Sequence, residues 1–404
     1  MEFANVLIVK DAKEHTIGNL SITNGKFSDK SYDKIQAECT GLIAYPSLIN
    51  IHDHLVGNWV PKGAPSRPYA NTSIWVDELN ESESVKERDK FWKSNLHDLL
   101  NDNGLDLALL GAYKNIFSGV TVVQDHVPRQ KEDYYQAFPI KVIPDYQQGH
   151  SITKQNWWGG DELAEEMKKT AGKIPFIIHL AEGSDELARS EFDELVKLGL
   201  LKNNSILVHC TALTEEQFKQ VKSAGASIAW CPNSNIYLLG TTLDIDLVLR
   251  LGVNVCLGTD STLSGSTNLL KELIYTKQTF PELEYTTLFK MVTENPAKAL
   301  KLDTYHGMIE TDAEANLLIT RMNKKDPYEN FVTLNTCDIE LLLYAGKPVF
   351  GKVEYLKYFS WDAKDYYLFE CDENKMFVIG HPEDILKKIE KKLGYKKHFD
   401  YLPF

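Results

Sequence analysis

The sequence predicts an α/β protein: a parallel, TIM-type barrel bracketed by a small β domain drawn from both chain ends. Apolar, β-rich runs without polar alternation recur through the middle of the chain, as expected for strands buried on both faces of a parallel sheet. Helix-like stretches separate these runs, and ~255 residues of such units is the size of a TIM-type barrel. Short alternating strands with turn residues occur at both ends, so two distant stretches can close one sheet.

The elements are taken in chain order. Near the N-terminus, residues 5–9 and 17–22 read as strands, with Asn24-Gly25 as a hairpin turn. The barrel strand candidates are 42–51, 120–125, 140–145, 175–180, 205–209, 226–230 and 253–257. The helix candidates are 85–117, 161–170, 186–198, 215–224, 267–278 and 285–300. That makes seven strands rather than eight. The stretch from His126 to Pro175 holds one clear strand, so either a short strand is hidden near 150–155 or the barrel is irregular there. The β texture returns at 316–320, 339–344 and 348–355, with Ala345-Gly346-Lys347 as a turn. Ile385, Leu386, Ile389 and Leu393 then share one helical face. The expected division is 1–45 and 305–360 for the bracketing β domain, 46–304 for the barrel, and 361–404 for a tail with a short helix.

Composition narrows the function classes. With 43% hydrophobic and 25% charged residues, wholesale disorder is excluded. A net charge of −13 disfavours a protein that coats nucleic acid. No apolar run approaches the ~18 residues of a membrane span, and the N-terminus MEFANVLIVKDAKE does not read as a signal peptide. Cys39, Cys210, Cys231, Cys256, Cys337 and Cys371 form no CxxC motif, which suits reduced thiols in a cytoplasmic protein. The expectation is a cytoplasmic protein acting on a small molecule, without a nucleic-acid or membrane partner. GxSxG, Walker A and GxGxxG motifs do not occur.

The chemistry gathers at strand ends. His52-Asp53-His54 closes the first barrel strand, where residues i and i+2 face one side, so both imidazoles can enter the barrel mouth while Asp53 points away. Alone this is weak, because about 0.3 His-x-His pairs arise by chance at this histidine content. His179 closes PFIIH, His209 closes SILVH and Asp260 closes NVCLGTD, and barrels of this type assemble their sites at the C-terminal ends of strands. Three histidines and a carboxylate suit one divalent ion such as Zn2+ or Fe2+, with a position left for water.

In order, the chain reads PSLINIHDHL (46–55), GVTVVQD (119–125), HLAEG (179–183), LVHCTALTEEQ (207–217), WCPNSNIYL (230–238), LGTDS (257–261) and TENPAKALKL (293–302). This resembles the amidohydrolase superfamily, in the branch holding cytosine and guanine deaminases and the s-triazine chlorohydrolases. The resemblance covers about residues 1–320. It implies a distorted (β/α)8 barrel beside a β-sandwich built from both chain ends. It also implies that His52, His54, His179 and Asp260 hold a single metal ion, and that Glu182 shuttles protons between water and substrate. His209 then polarises the water or the substrate. Glu182 follows His179 by three residues, so it must sit past the strand end, on a turn that Gly183 permits, and fold back over the metal. Members that bridge two metals use a lysine at the end of the fourth strand. Here the nearest lysine, Lys141, stands at a strand's start, which favours one metal.

The reaction implied is attack of a metal-activated water on an electron-poor sp2 carbon, as in deamination of an amino-heterocycle. Hydrolysis of another C–N or C–Cl bond and a non-catalytic scaffold on the same fold are the competing readings. Arg67 and Tyr69, in the loop after His54, are candidates for holding a polar or anionic group. His126, His150, Trp157 and Trp158 are candidates for lining the pocket. Asn233 and Asn235 are expected to order the barrel mouth. Members of the branch commonly form dimers, so a homodimer is expected.

Overall fold

The computed structural model describes residues 1–30, 35–92, 96–100, 103–302 and 306–404. Among these, eight strands line the barrel in two hydrogen-bonded arcs. The first arc holds Leu48–Asp53, Val120–Asp125 and Lys141–Val142, all parallel. The second holds Gln147–Ser151, Phe176–Leu180, Ser205–His209, Ser227–Trp230 and Asn254–Leu257, also parallel. Gln147–Ser151 is the strand missing from the sequence count; two glutamines, a glycine and a histidine leave it no apolar run to be read by. The third strand spans only two residues, which makes the 126–175 region compressed and the barrel distorted. At the other seam the Asp260 N–H donates to the His52 carbonyl at 3.1 Å, tying the last strand's end to the first's.

Several helix and strand boundaries differ from expectation for local reasons. The run 42–51 divides at Ser47: Leu42–Pro46 joins the bracketing sheet and only Leu48–Asp53 enters the barrel. The candidate 85–117 becomes two helices, Glu83–Trp92 and Gly104–Ile116; its residues 93–95 and 101–102 lie outside the described residues, as do 303–305 at the expected end of the barrel. The candidate 285–300 becomes Tyr285–Met291 and Glu294–Ala299, with Pro296 in the first turn of the second, where its missing N–H costs least. The outer helices are amphipathic and capped. Glu186–Lys197 buries Ala188, Phe192 and Leu195, and Asp185 accepts from the Ala188 N–H at 3.0 Å. Glu215–Ala224 starts with a Thr214/Gln217 capping box.

Both chain ends build one ten-stranded sheet. Leu317–Arg321 links the halves, antiparallel to Leu42–Pro46 on one side and to Ile339–Tyr344 on the other. Period-2 alternation sorts its side chains. Leu317, Ile319, Leu341 and Leu343 join Phe3, Val6, Leu20 and Phe377 in an apolar cluster of their own. Leu318 and Leu342, one residue out of phase, pack into the larger core shared with the barrel. The segment 361–404, read from sequence as a tail with one helix, supplies more than that helix (Pro382–Leu393). Tyr366–Cys371 and Asn374–Ile379 form a hairpin that extends the sheet. Its turn, Asp372-Glu373, takes positive φ without a glycine or asparagine, so the usual hairpin signal is absent. Among the described residues no helix is long and apolar enough to cross a membrane.

Candidate functional site

The strand ends converge on a cluster of imidazoles. His52 closes the first strand and is wholly buried; His54 follows it, and His179 is the fourth residue of Phe176–Leu180. Ring centroids are 4.8 Å apart for His52 and His54, 5.1 Å for His52 and His179, and 5.3 Å for His54 and His179. Asp260 Oδ1 lies 3.9 Å from His52 Nε2 and 3.6 Å from His54 Nε2. The second oxygen of Asp260 accepts from the hydroxyls of Ser234 (2.8 Å) and Ser264 (3.0 Å), which aims the first at the histidines.

Hydrogen bonds to backbone carbonyls set the tautomers. His54 Nδ1–H donates to the His126 carbonyl at 3.0 Å, and His179 Nδ1–H to the His150 carbonyl at 2.8 Å, so each presents a bare Nε2 to the cluster. Among the described residues, neither nitrogen of His52 has a hydrogen-bond partner. Burial, reinforced by the neighbouring imidazoles, drives His52 and His179 well below the usual histidine range. His54 is also lowered by burial, against the opposing pull of Asp260. Burial alone would raise the Asp260 carboxyl, but His54, His209 and the Ser234 hydroxyl outweigh it and leave it lowered. Neutral imidazoles with free lone pairs gathered around one carboxylate in a buried site are what a divalent ion requires, and the residues fit it.

Glu182 and His209 stand beside this cluster. The turn after Phe176–Leu180 differs from expectation: Ala181 takes the positive φ (52°), whereas Gly183 does not. Gly183 is needed for space instead, since a Cβ there would sit 2.6 Å from the Ala70 carbonyl oxygen. The Ala181 N–H donates to Glu191 Oε2 at 2.7 Å, and the Thr211 hydroxyl donates to the Ala181 carbonyl at 2.8 Å. Held this way, Glu182 Oε2 lies 3.5 Å from His209 Nε2. Burial, then the nearby Asp260 charge, raises the Glu182 carboxyl well above its ordinary range. His209 Nδ1–H donates to Asn235 Oδ1 at 2.8 Å, which leaves Nε2 facing Glu182. His209 and Asp260 both hold left-handed φ (72° and 54°), a strained conformation that gathers at functional sites.

A cavity of about 450 Å3 opens above the cluster, within the usual range for small-molecule sites. His54, His179, Glu182, His209 and Asp260 contribute to its wall, as do Trp75, Trp92, Trp157 and Trp158. Of the sequence-predicted pocket residues, His150, Trp157 and Trp158 line it. His150 stacks edge-on to Trp158 at 4.5 Å, and burial lowers its pKa to about 3. Arg67 and Tyr69 do not line it. The Arg67 guanidinium lies over the Tyr237 ring at 4.2 Å, and the Tyr69 hydroxyl donates to Glu78, so the loop spends both on its own packing. His126 is not in the wall either; it is buried within the histidine cluster. Asn233 donates to Ser266 at 2.9 Å. The CPNSN segment thereby orders the mouth, and its Asn235 also orients His209. Sequence reasoning missed Trp75, Trp92 and Glu191, which carry no motif and reach the site only through folding, and gave no role to Thr211 within LVHCTALTEEQ.

The amidohydrolase family model matches residues 160–349. A 5-methylthioadenosine/S-adenosylhomocysteine deaminase of Thermococcus sibiricus is 32% identical over 200 residues, covering 44% of this chain and 46% of that protein. The chain spans about half the length of the curated relatives it matches. Among solved structures, atrazine chlorohydrolase from Arthrobacter aurescens TC1 complexed with zinc has a TM-score of 0.68 at 16% identity, covering 86% of this chain and 94% of its own. Guanine deaminase from C. acetobutylicum with bound guanine has a TM-score of 0.63 at 17% identity, covering 86% and 99%. The structural likenesses carry the barrel fold, and over residues 160–349 the chain is similar to the amidohydrolase family.

Proposed function

We propose that the protein is a metal-dependent aminohydrolase that removes ammonia from an amino-substituted aromatic heterocycle. The observation that carries this reading is Glu182, a raised carboxyl 3.5 Å from His209 at the wall of a cavity floored by His54, His179 and Asp260. His52, His54, His179 and Asp260 would hold one divalent ion, zinc rather than iron by analogy with the zinc-bound relative. A bound ion would supply Lewis-acid activation of a water molecule. Glu182 accepts the water proton on its carboxylate and returns it to the leaving nitrogen, so the C–O bond forms as the C–N bond breaks and ammonia departs. His209, anchored through Asn235, keeps Nε2 available to hydrogen-bond the oxygen or ring nitrogen on which charge develops. Trp157, Trp158 and His150 provide aromatic surface against which an aromatic heterocycle can pack.

The deaminases among the relatives favour purine-type substrates, so the screen starts there. Metal-loaded protein is assayed for ammonia release across purines, pyrimidines, pterins and thioadenosines. Turnover of one class supports the reading. Halide or ring-opened product in place of ammonia moves it to the neighbouring chemistries, and no turnover by protein with a full metal complement favours a scaffold. The same reading places the enzyme in the cytoplasm, where its six unpaired cysteines stay reduced, and as a homodimer. Light scattering at micromolar concentration tests the dimer; a monomer refutes it.

A further inference from the structure

We propose that His126 supplies a fourth imidazole to the same ion, through Nδ1, so that five side chains of this chain hold it. The proposal rests on the metal-centre reading above. His126 directly follows the second barrel strand, Val120–Asp125, and its N–H donates to the Asp53 carbonyl at 2.8 Å. Because the third strand is only two residues long, the ring reaches past it to the fourth. There Nε2–H donates to the Gly149 carbonyl at 3.1 Å. That bond fixes the tautomer and turns the lone pair of Nδ1 inward, where it has no hydrogen-bond partner among the described residues. The ring is fully buried and absent from the cavity wall, so a substrate cannot supply the missing partner.

Geometry points the same way. The His126 ring centroid lies 4.5 Å from that of His179, 5.3 Å from His52 and 5.5 Å from His54, against 4.8–5.3 Å within the other three. One ligand atom from each of the four histidines lies within 4.8 Å of all the others. Two nitrogens bound to one zinc ion are separated by at most ~4.2 Å, given Zn–N bonds of about 2.1 Å, so binding would draw the widest pair in by no more than about 0.6 Å. His209 is a useful contrast, since its Nδ1 is used by Asn235 and its Nε2 faces Glu182. A ring with its donor tied to a backbone carbonyl and its acceptor left bare in a dry cluster is how metal-bound histidines are held.

X-ray absorption on the zinc-loaded wild-type protein counts the imidazoles directly and needs no variant. Four support the proposal and three overturn it. His126→Gln, whose amide can still donate to Gly149, should release zinc to a chelator about tenfold faster or more. In the cobalt-loaded form it should also show an altered visible spectrum. Trp158→Phe, which loosens packing on the ring without removing a nitrogen, should leave the cobalt spectrum unchanged. Superimposable spectra and equal release rates for wild type and His126→Gln would overturn the proposal. His52→Ala and Asp260→Ala separate the two readings. If they keep full metal, the centre itself is misplaced; if they lose it while His126→Gln matches wild type, only the fourth imidazole falls.

Discussion

His52 and Asp53 are neighbours on one strand, both buried completely, and their surroundings could hardly differ more. Asp53 points away from the mouth into a network where every oxygen is used. Lys114 Nζ and Asn58 Nδ2 donate to its Oδ1 at 3.1 and 3.0 Å, and Asn115 Nδ2 donates to Oδ2 at 2.8 Å. Lys114 is itself satisfied by Asn58, Thr259 and the Asp260 carbonyl, at 2.9–3.1 Å. On the other face, His52 has two nitrogens and, among the described residues, no partner for either. Buried polar groups are normally paired. A closed network is therefore scaffold, whereas an open one marks the place where a ligand completes the bonding. The Lys114 network also grips the Asp260 and Thr259 segment from below, so the closed side positions the open side.

The contrast can be broken from either side. The largest effect is expected on the open side: His52→Ala or Asp260→Ala should leave the protein folded but without its ion and without activity. Elemental analysis showing full occupancy in both would refute the ligand assignment. Next comes Glu182→Gln, which keeps size and polarity but removes the proposed proton carrier. Metal content should stay at the wild-type level while kcat falls about 10²–10⁴-fold. Loss of the metal, or near-normal turnover, would contradict the role given to Glu182.

On the closed side, Lys114→Met strands the Asp53 carboxylate and should cost about 3–5 kcal/mol in denaturant unfolding. If stability is unchanged, the network does not act as scaffold. Trp157→Ala removes one aromatic wall at the half-exposed lip and should raise KM about 2–10-fold with kcat little altered. The smallest effect is expected for Arg67→Ala. It loses a cation–π contact of ~0.5–1 kcal/mol, and kcat/KM should match wild type. A collapse of kcat/KM would restore Arg67 to the substrate site.

Much of this is legible along the chain. Strand ends bearing His52, His179, His209 and Asp260 can be read because apolar parallel strands announce themselves, and a residue at or just past such a strand's C-terminal end lies at the barrel mouth. Glu182 is legible only as a residue of the motif HLAEG. The turn that delivers it depends on Ala181, Glu191 and Thr211, from a helix and a neighbouring strand end, and no local pattern joins them. Lys114 cannot be anticipated, since a lysine near the end of an apolar helix reads as its solvated edge, and only packing against the first strand buries it. His126 reads as a pocket residue because it comes directly after a strand; the shortness of the next strand sinks it one layer deeper.

The sequence by itself determined the parallel barrel, the β segments at both ends and the placing of His52, His54, His179, His209 and Asp260 at strand ends. Those properties come from side-chain periodicity and from position relative to strand ends, which are relations between neighbours along the chain. The tertiary structure decided which imidazole nitrogens are bare, where the barrel closes, and that Arg67 and Tyr69 turn away from the cavity. Each of these depends on hydrogen bonds or contacts with partners from other elements, such as Gly149 for His126, Asn235 for His209 and Tyr237 for Arg67. Such partners are chosen by packing in three dimensions, and the energy of leaving them unpaired is set only once water has been excluded.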